Sequence, residues 1–345
     1  MNNRDEGVIL KNNNIEKLVI ETKIGTCIKE INKVSGGLSH RMYKVVTDKG
    51  IYAIKELNSG VMKRKEAFSN FIFSEKVSEI AIQNKITAVG AMKINNEVIT
   101  KIDNNYYMIF EWLEGRTLKA NEITEKHCEI IGELLAKIHN IDFTEIEDEN
   151  RKHIDIEYFE WNKYCEIAEK NNKVYASLLK QNTNLLYELN KKSAKALEYA
   201  NKNLIISHTD LDRKNVMWQE HKPFIIDWEA SGYINPTIEL IQVAWYWSGG
   251  DVENIDYNKF EILIKSYKKN YKGNIDKNSE ELVYADNYGG LGWLNYNLKR
   301  SLCIENNYEQ DEIELAENEV IQSINEIKYN YSQLENIIKI FYSIK

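Results

Sequence analysis

The sequence predicts an α+β chain: a small N-terminal lobe, built as an antiparallel sheet with one main helix, then a large and mostly helical C-terminal lobe. Three observations carry that expectation. Short β-type runs crowd the first third of the chain, helical periodicity dominates after about Glu129, and the character changes across Trp112 to Gly115. The expected division is therefore residues 1–112 and 113–345.

The strands come first. Ile28 to Val34, Met42 to Thr47 and Ile51 to Leu57 are β-type runs. Ser35-Gly36-Gly37-Leu38-Ser39 joins the first two, and Asp48-Lys49-Gly50 joins the second pair as a tight hairpin turn. From Lys63 to about Asn84 the spacing of Phe68, Phe71, Ile72, Val77 and Ile80 predicts the main helix. Glu97 to Ile102 and Tyr106 to Trp112 read as two more strands around Asp103-Asn104-Asn105. Glu129 to His139 then sets Ile130, Ile131, Leu134, Leu135 and Ile138 on one helical face. Helical patterns continue from Asp155 to Asn201 and fill most of the remainder. Strand signals return only at Leu204 to Ser207, Val216 to Trp218 and Phe224 to Ile226.

Bulk composition narrows the function. The 345 residues are 43% hydrophobic and 28% charged, an ordinary globular balance. A formal net charge of -8 repels polyanions, so no nucleic-acid partner is expected, and the same charge suits a cationic ligand. Cys27, Cys128, Cys165 and Cys303 stand far apart with no C-x-x-C pair, which argues against a zinc site or a disulfide framework. No basic start followed by an apolar core and no membrane-length apolar run is seen, so a cytoplasmic protein without a membrane partner is expected.

The chemistry is concentrated in Ser207-His208-Thr209-Asp210-Leu211-Asp212-Arg213-Lys214-Asn215-Val216-Met217-Trp218 and the following Phe224-Ile225-Ile226-Asp227-Trp228-Glu229. Phosphoryl transfer needs an acceptor hydroxyl aimed at the γ-phosphate and Mg²⁺ to hold the phosphate charge. A carboxylate followed five residues later by an amide, on a loop before a strand, suits both tasks. Asp210 would orient the hydroxyl and take its proton. Asn215 and Asp227 would give Mg²⁺ the hard oxygen ligands it prefers.

His-x-Asp-x-x-x-x-Asn followed by a strand ending in Asp resembles the catalytic loop and metal-binding Asp of protein kinases. The longer words "HTDLDRKNVMW" and "IIDWEASGYINPTIELIQVAWYWSG" resemble the aminoglycoside phosphotransferase family, which includes choline, homoserine and methylthioribose kinases and spore-coat kinase-like proteins. Thr209 stands where that family usually has Gly, Asn235-Pro236 where it has Asp-Pro, and His40 where it often has Asn. The resemblance implies a protein-kinase-like bilobal fold, with a nucleotide-binding N-terminal lobe and a catalytic and substrate-binding C-terminal lobe. It makes His208 and His139 structural residues.

Within that resemblance Tyr52-Ala53-Ile54-Lys55 matches the kinase strand whose lysine meets the α- and β-phosphates. Ser35, Gly36, Gly37 and Ser39 lie in the loop that lets backbone amides approach phosphate. Glu66, Glu75 and Glu79 compete as the partner of Lys55, and Glu75 fits the family spacing best. Glu111, Trp112 and Leu113 form the connector expected to meet the nucleotide base. Asp212, Glu229, Tyr233 and Trp293 are candidate acceptor contacts, with Trp245, Trp247 and Asn295 close by. Ser301 to Ile327 contains no Lys or Arg but carries Glu305, Glu309, Asp311, Glu312, Glu314, Glu317, Glu319 and Glu326, a run that suits ammonium groups.

The implied activity is transfer of the γ-phosphate of ATP or GTP, with Mg²⁺, to a hydroxyl of an aminoglycoside-like molecule, an amino alcohol or a sugar. The competing expectation is a kinase-like binding or spore-coat-type protein without turnover. Intact Lys55, Asp210, Asn215 and Asp227 weigh against it. Absence of Ala-Pro-Glu and Asp-Phe-Gly weighs against a protein kinase.

Overall fold

A computed structural model describes residues 13–34, 40–275, 281–285, 287–304 and 308–344. The chain begins with α1 (Asn13–Glu21), β1 (Ile28–Val34), β2 (Arg41–Thr47), β3 (Ile51–Leu57), α2 (Ser59–Met62), α3 (Ala67–Gln83), β4 (Thr100–Ile102) and β5 (Asn105–Glu111). Next come α4 (Glu125–His139), α5 (Trp161–Lys170), α6 (Ala176–Ala200), β6 (Ile205–Ser207), β7 (Val216–Gln219), β8 (Lys222–Ile225) and β9 (Gly232–Ile234). α7 (Pro236–Trp247), α8 (Tyr257–Asn270), α9 (Leu282–Ala285), α10 (Asn287–Ser301) and α11 (Gln310–Ser343) follow. No described helix is long and apolar enough to cross a membrane.

Two compact units result. The first is Met1–Thr117 with Lys214–Ser231, and the second is Leu118–Arg213 with Gly232–Lys345. The first unit thus runs past residue 112 and takes in a later segment as well. Backbone hydrogen bonds are the cause: Ile225 N–H donates to Thr87 O (2.8 Å), Val89 N–H to Ile225 O (2.9 Å) and Trp218 N–H to Arg116 O (2.8 Å). They tie the β7–β8 hairpin to the much earlier segments around Thr87 to Val89 and Arg116.

The first unit is an antiparallel sheet in the order β1-β2-β3-β5-β4. Side chains alternate between its faces. Ile54, Tyr107 and Ile109 face Ile15, Leu18 and Val19 of α1, while Leu57 and Met108 face Phe71 of α3. The helix α1 was not anticipated, although Ile15, Leu18 and Val19 carry helical spacing.

Among the described residues, the regular structure of the second unit is helical apart from the short β6–β9 pair. In α4, Gly132 lies where a Cβ would come 2.4 Å from Leu263 O, so a glycine lets α4 and α8 approach closely. Leu179, Leu186 and Leu189 of α6 pack with Leu291, Leu294 and Leu298 of α10 and Val320 and Ile324 of α11.

Candidate active site

In the first unit the site grows from β3. Lys55 pairs across the sheet with Met108 of β5 and shares the α3 face with Leu57. Its ammonium is largely buried, with side-chain exposure of 10%. Nζ lies 2.9 Å from Asp227 Oδ1 and also hydrogen-bonds the Glu229 carboxylate. Burial works to lower the Lys55 pKa, but the charges and hydrogen bonds of Asp227 and Glu229 outweigh it and hold the pKa above the ordinary lysine value.

Asp227 follows β8 with φ of 58°, a left-handed conformation that Asp tolerates better than most residues. This turn leads into a 3-10 turn at Trp228–Ala230, with Trp228 buried and Glu229 half-buried, packed on α3. His40 stands behind: Nδ1 accepts the Asn58 N–H (2.9 Å), Nε2 lies 3.4 Å from Glu229 Oε2, and the ring meets Phe71 edge-on at 5.7 Å between centroids.

The ion pair expected between Lys55 and Glu75 is not the one formed. Glu75 Oε2 instead accepts the Ala91 N–H at 2.7 Å. Glu79 is held by Lys93, and Glu66 is exposed at the start of α3. Glu229, expected at the acceptor, is the glutamate that meets Lys55.

Burial pushes the Glu75 carboxyl up to about 7, against the Ala91 N–H and the Lys55 charge. Its pKa is raised on folding, so between roughly pH 4.5 and 7 the folded chain keeps a proton that the unfolded chain has lost. Stability should therefore fall as pH rises through that window, by roughly 2–3 kcal/mol from this group. Urea titrations at several pH values should show that Glu75→Gln flattens this part of the profile.

Asn215 is buried at the start of β7, and its carbonyl accepts the Ile226 N–H at 2.9 Å. That bond joins the backbone at Asn215 to the residue before Asp227. The connector continues β5: Glu111 pairs with Tyr52, and Trp112 N–H donates to Ile51 O (3.0 Å). Lys44 Nζ lies 4.4 Å from the centre of the Trp112 ring, and Leu113 is half-buried. Ser35, Gly36, Gly37 and Ser39 lie outside the described residues.

In the second unit the loop His208 to Arg213 is fastened at three points. Glu239 of α7 accepts the Thr209 N–H at 2.8 Å. Trp247 Nε1–H donates to Leu211 O at 3.0 Å. The Arg213 guanidinium makes a two-pronged contact with Asp251 and donates to Tyr246 O. Asp210, between these points, is half-buried and its N–H donates to His208 Nδ1 (3.3 Å). His208 is fully buried.

Glu239 is itself paired with His139 of α4, both side chains having zero exposure. His139 Nε2 lies 2.7 Å from Glu239 Oε2, and Nδ1 lies 2.6 Å from the Tyr267 hydroxyl of α8. Burial works to raise the Glu239 pKa, but the His139 charge, its hydrogen bond and the Thr209 N–H hold it below the ordinary carboxylate value. Sequence reading passed over Glu239. The available signal was the one charged residue in the mostly apolar helix Pro236–Trp247.

Thr209 has φ of 62°. A β-branched residue there carries strain of about 1–2 kcal/mol. Thr209→Gly should raise stability by up to ~1 kcal/mol, less than the full strain because glycine gains freedom in the unfolded chain. An increase in the urea midpoint at unchanged m-value checks this.

The remaining acceptor candidates each have contacts of their own. Asp212 takes the Arg213 N–H, and the Tyr233 hydroxyl accepts the Asp148 N–H (2.8 Å). Trp293 is exposed, stacks on Tyr296 and donates Nε1–H to Glu319 at 3.1 Å. Trp245 and Trp247 are buried, and Asn295 accepts the Tyr164 hydroxyl proton at 2.6 Å.

No curated protein matches the sequence. The structure is similar to spectinomycin phosphotransferase APH(9)-Ia in complex with ADP and spectinomycin: 15% identity, TM-score 0.66, covering 92% of this chain and 97% of that one. It is similar to the choline kinase from Cryptosporidium parvum Iowa II, with 15% identity and a TM-score of 0.59 over 95% and 98% of the two chains. It is also similar to amicoumacin kinase hAmiN in complex with AMP-PNP, Ca²⁺ and Ami, with 9% identity and a TM-score of 0.59 over 90% and 93%. These likenesses establish the α+β, protein-kinase-like fold. The sequence model of the phosphotransferase enzyme family matches residues 30–263, more than half of the chain, and the protein therefore belongs to that family.

Proposed function

We propose that this protein is a small-molecule kinase that moves the γ-phosphate of ATP to a hydroxyl of a small, polar, cationic acceptor. The observation that carries the reading is Lys55, a buried ammonium held on Asp227 and Glu229 directly after β8. A lysine placed so meets phosphate oxygens, and the neighbouring carboxylate is a hard ligand for a divalent cation. ADP and AMP-PNP in the similar structures favour an adenine nucleotide.

Asn215 and Asp227 fit Mg²⁺ by chemistry: both offer oxygen, and Asp227 keeps 38% of its side chain accessible. When bound there, the ion supplies neutralisation of phosphate charge. Asp210 orients the acceptor hydroxyl and accepts its proton. Its support is its place in a loop fastened at Thr209, Leu211 and Arg213 and the five-residue spacing to Asn215.

The cationic acceptor is supported by the surroundings of Glu326 on α11. Burial, then the charges of Glu319, Asp251 and Glu253, push its carboxyl above the usual range. An ammonium group relieves that crowding. Asp251 also holds Arg213 of the loop, which ties the acidic group to the chain next to Asp210.

The test is nucleoside diphosphate release, with Mg²⁺ and either ATP or GTP, across aminoglycosides, amino alcohols and sugars, with Asp210→Ala beside the wild type. Release above the control with one acceptor class supports the reading. Nucleotide binding without release above the control, for every acceptor, identifies a binding protein instead.

A further inference from the structure

We propose that Glu229, not a glutamate of α3, is the standing anionic partner of Lys55 during phosphoryl transfer, and that His40 fixes Glu229 in place. This rests on the kinase reading above. Asp227 is the other carboxylate on Lys55 and is also the residue assigned to the metal. Lys55 therefore needs a second anion that is not given to the ion, and Glu229 already hydrogen-bonds it.

The glutamates of α3 are spent elsewhere. Glu75 Oε2 takes the Ala91 N–H, and both Glu79 oxygens lie 2.7 Å from Lys93 Nζ. Glu66 is exposed. Burial also leaves Glu75 with a pKa of about 7, so near neutrality it is charged only part of the time.

Glu229 is anchored from both sides. Its neighbour Trp228 is buried at 2% exposure in a turn packed on α3. Nδ1 of His40 accepts the Asn58 N–H, so the ring proton sits on Nε2, the nitrogen 3.4 Å from Glu229 Oε2. Lys55, Glu229 and His40 thus form one chain of polar contacts. Because Asp227 and Glu229 belong to one short segment, the lysine is fixed relative to the proposed metal ligand. The role proposed for Glu229 and His40 is positioning, since neither is assigned to the reacting atoms.

The first arm of the test needs no acceptor. Melting temperatures of the metal-free protein are compared for Glu229→Ala and Glu75→Gln, each alone and with Lys55→Met. Glu229→Ala should lower the melting temperature by about 2–4 °C, and most of the drop should go when Lys55 is Met, leaving the part due to His40. Glu75→Gln should give the same shift in both backgrounds. A Glu229 shift that is undiminished without Lys55, or a Glu75 shift that disappears with it, overturns the pairing.

The second arm is kinetic. Glu229→Ala should lower kcat/KM for the nucleotide by about tenfold or more, while Glu75→Gln stays within about threefold. His40→Ala should cost less and add nothing further to Glu229→Ala. Recovery of Glu229→Ala by excess Mg²⁺ would mark Glu229 as a metal ligand and overturn the role. Transfer by the wild type to no acceptor at all defeats the kinase reading and the positioning role with it, whereas the pairing is decided by melting alone.

Discussion

Asp210→Ala is expected to lower turnover by on the order of 10²-fold or more, with stability nearly unchanged. The group removed is the one proposed above as the base for the acceptor hydroxyl, and the nearby carboxylate of Asp212 already takes the Arg213 N–H. The loop itself is held by its neighbours: Glu239 receives Thr209, Trp247 donates to Leu211, and Asp251 clasps Arg213. The half-buried Asp210 side chain is therefore removed from a frame that keeps its shape. Single-turnover rates with Asp210→Ala and Asp210→Asn separate the two contributions. Asn keeps an orienting oxygen and loses the base, so it should be no faster than wild type and no slower than Ala. Full activity in either variant removes Asp210 from the mechanism.

Glu239→Ala is expected to destabilise the protein by about 3–5 kcal/mol, the usual cost of breaking a buried ion pair from one side. The pair has no exposure, and the substitution strands His139 between Tyr267 and apolar packing. Against a typical total stability of about 5–15 kcal/mol this is a large fraction, and the melting temperature should fall on the order of 10 °C. His139→Leu with Glu239→Leu should cost less than the sum of the single changes, because neither charge is then left alone. The folded pKa of Glu239 lies below the ordinary value, so its contribution is present at neutral pH and fades as pH falls through the acid range. Turnover of any folded Glu239→Ala protein should also drop, since the left-handed Thr209 loses the acceptor of its N–H. A Glu239→Ala protein with unchanged melting and unchanged turnover would refute the anchoring.

Particular residues show where sequence reading stopped. The strands Ile28–Val34 and Ile51–Leu57 have the bounds their β-type runs suggested, because alternation and turn residues act locally. The helix Asn13–Glu21 has comparable periodicity and was overlooked beside the stronger strand signals. Gly232–Ile234 is too short to signal itself and is a strand because Ile205–Ser207 pairs with it. Glu75 matched a spacing in the sequence, but spacing along α3 cannot say which donor lies nearest its carboxyl group. Ala91 N–H is that donor.

Asp210, Asn215, Asp227 and Lys55 are site expectations that the sequence alone supplies. What each charge pairs with was decided only by the tertiary structure. Lys55 meets residues 172 and 174 positions away, and Glu239 meets His139 at a separation of 100. In a buried setting a charge must be matched by whatever the packing brings near it. That neighbour is set by which sheet face, helix and turn come together, and the linear sequence does not display it.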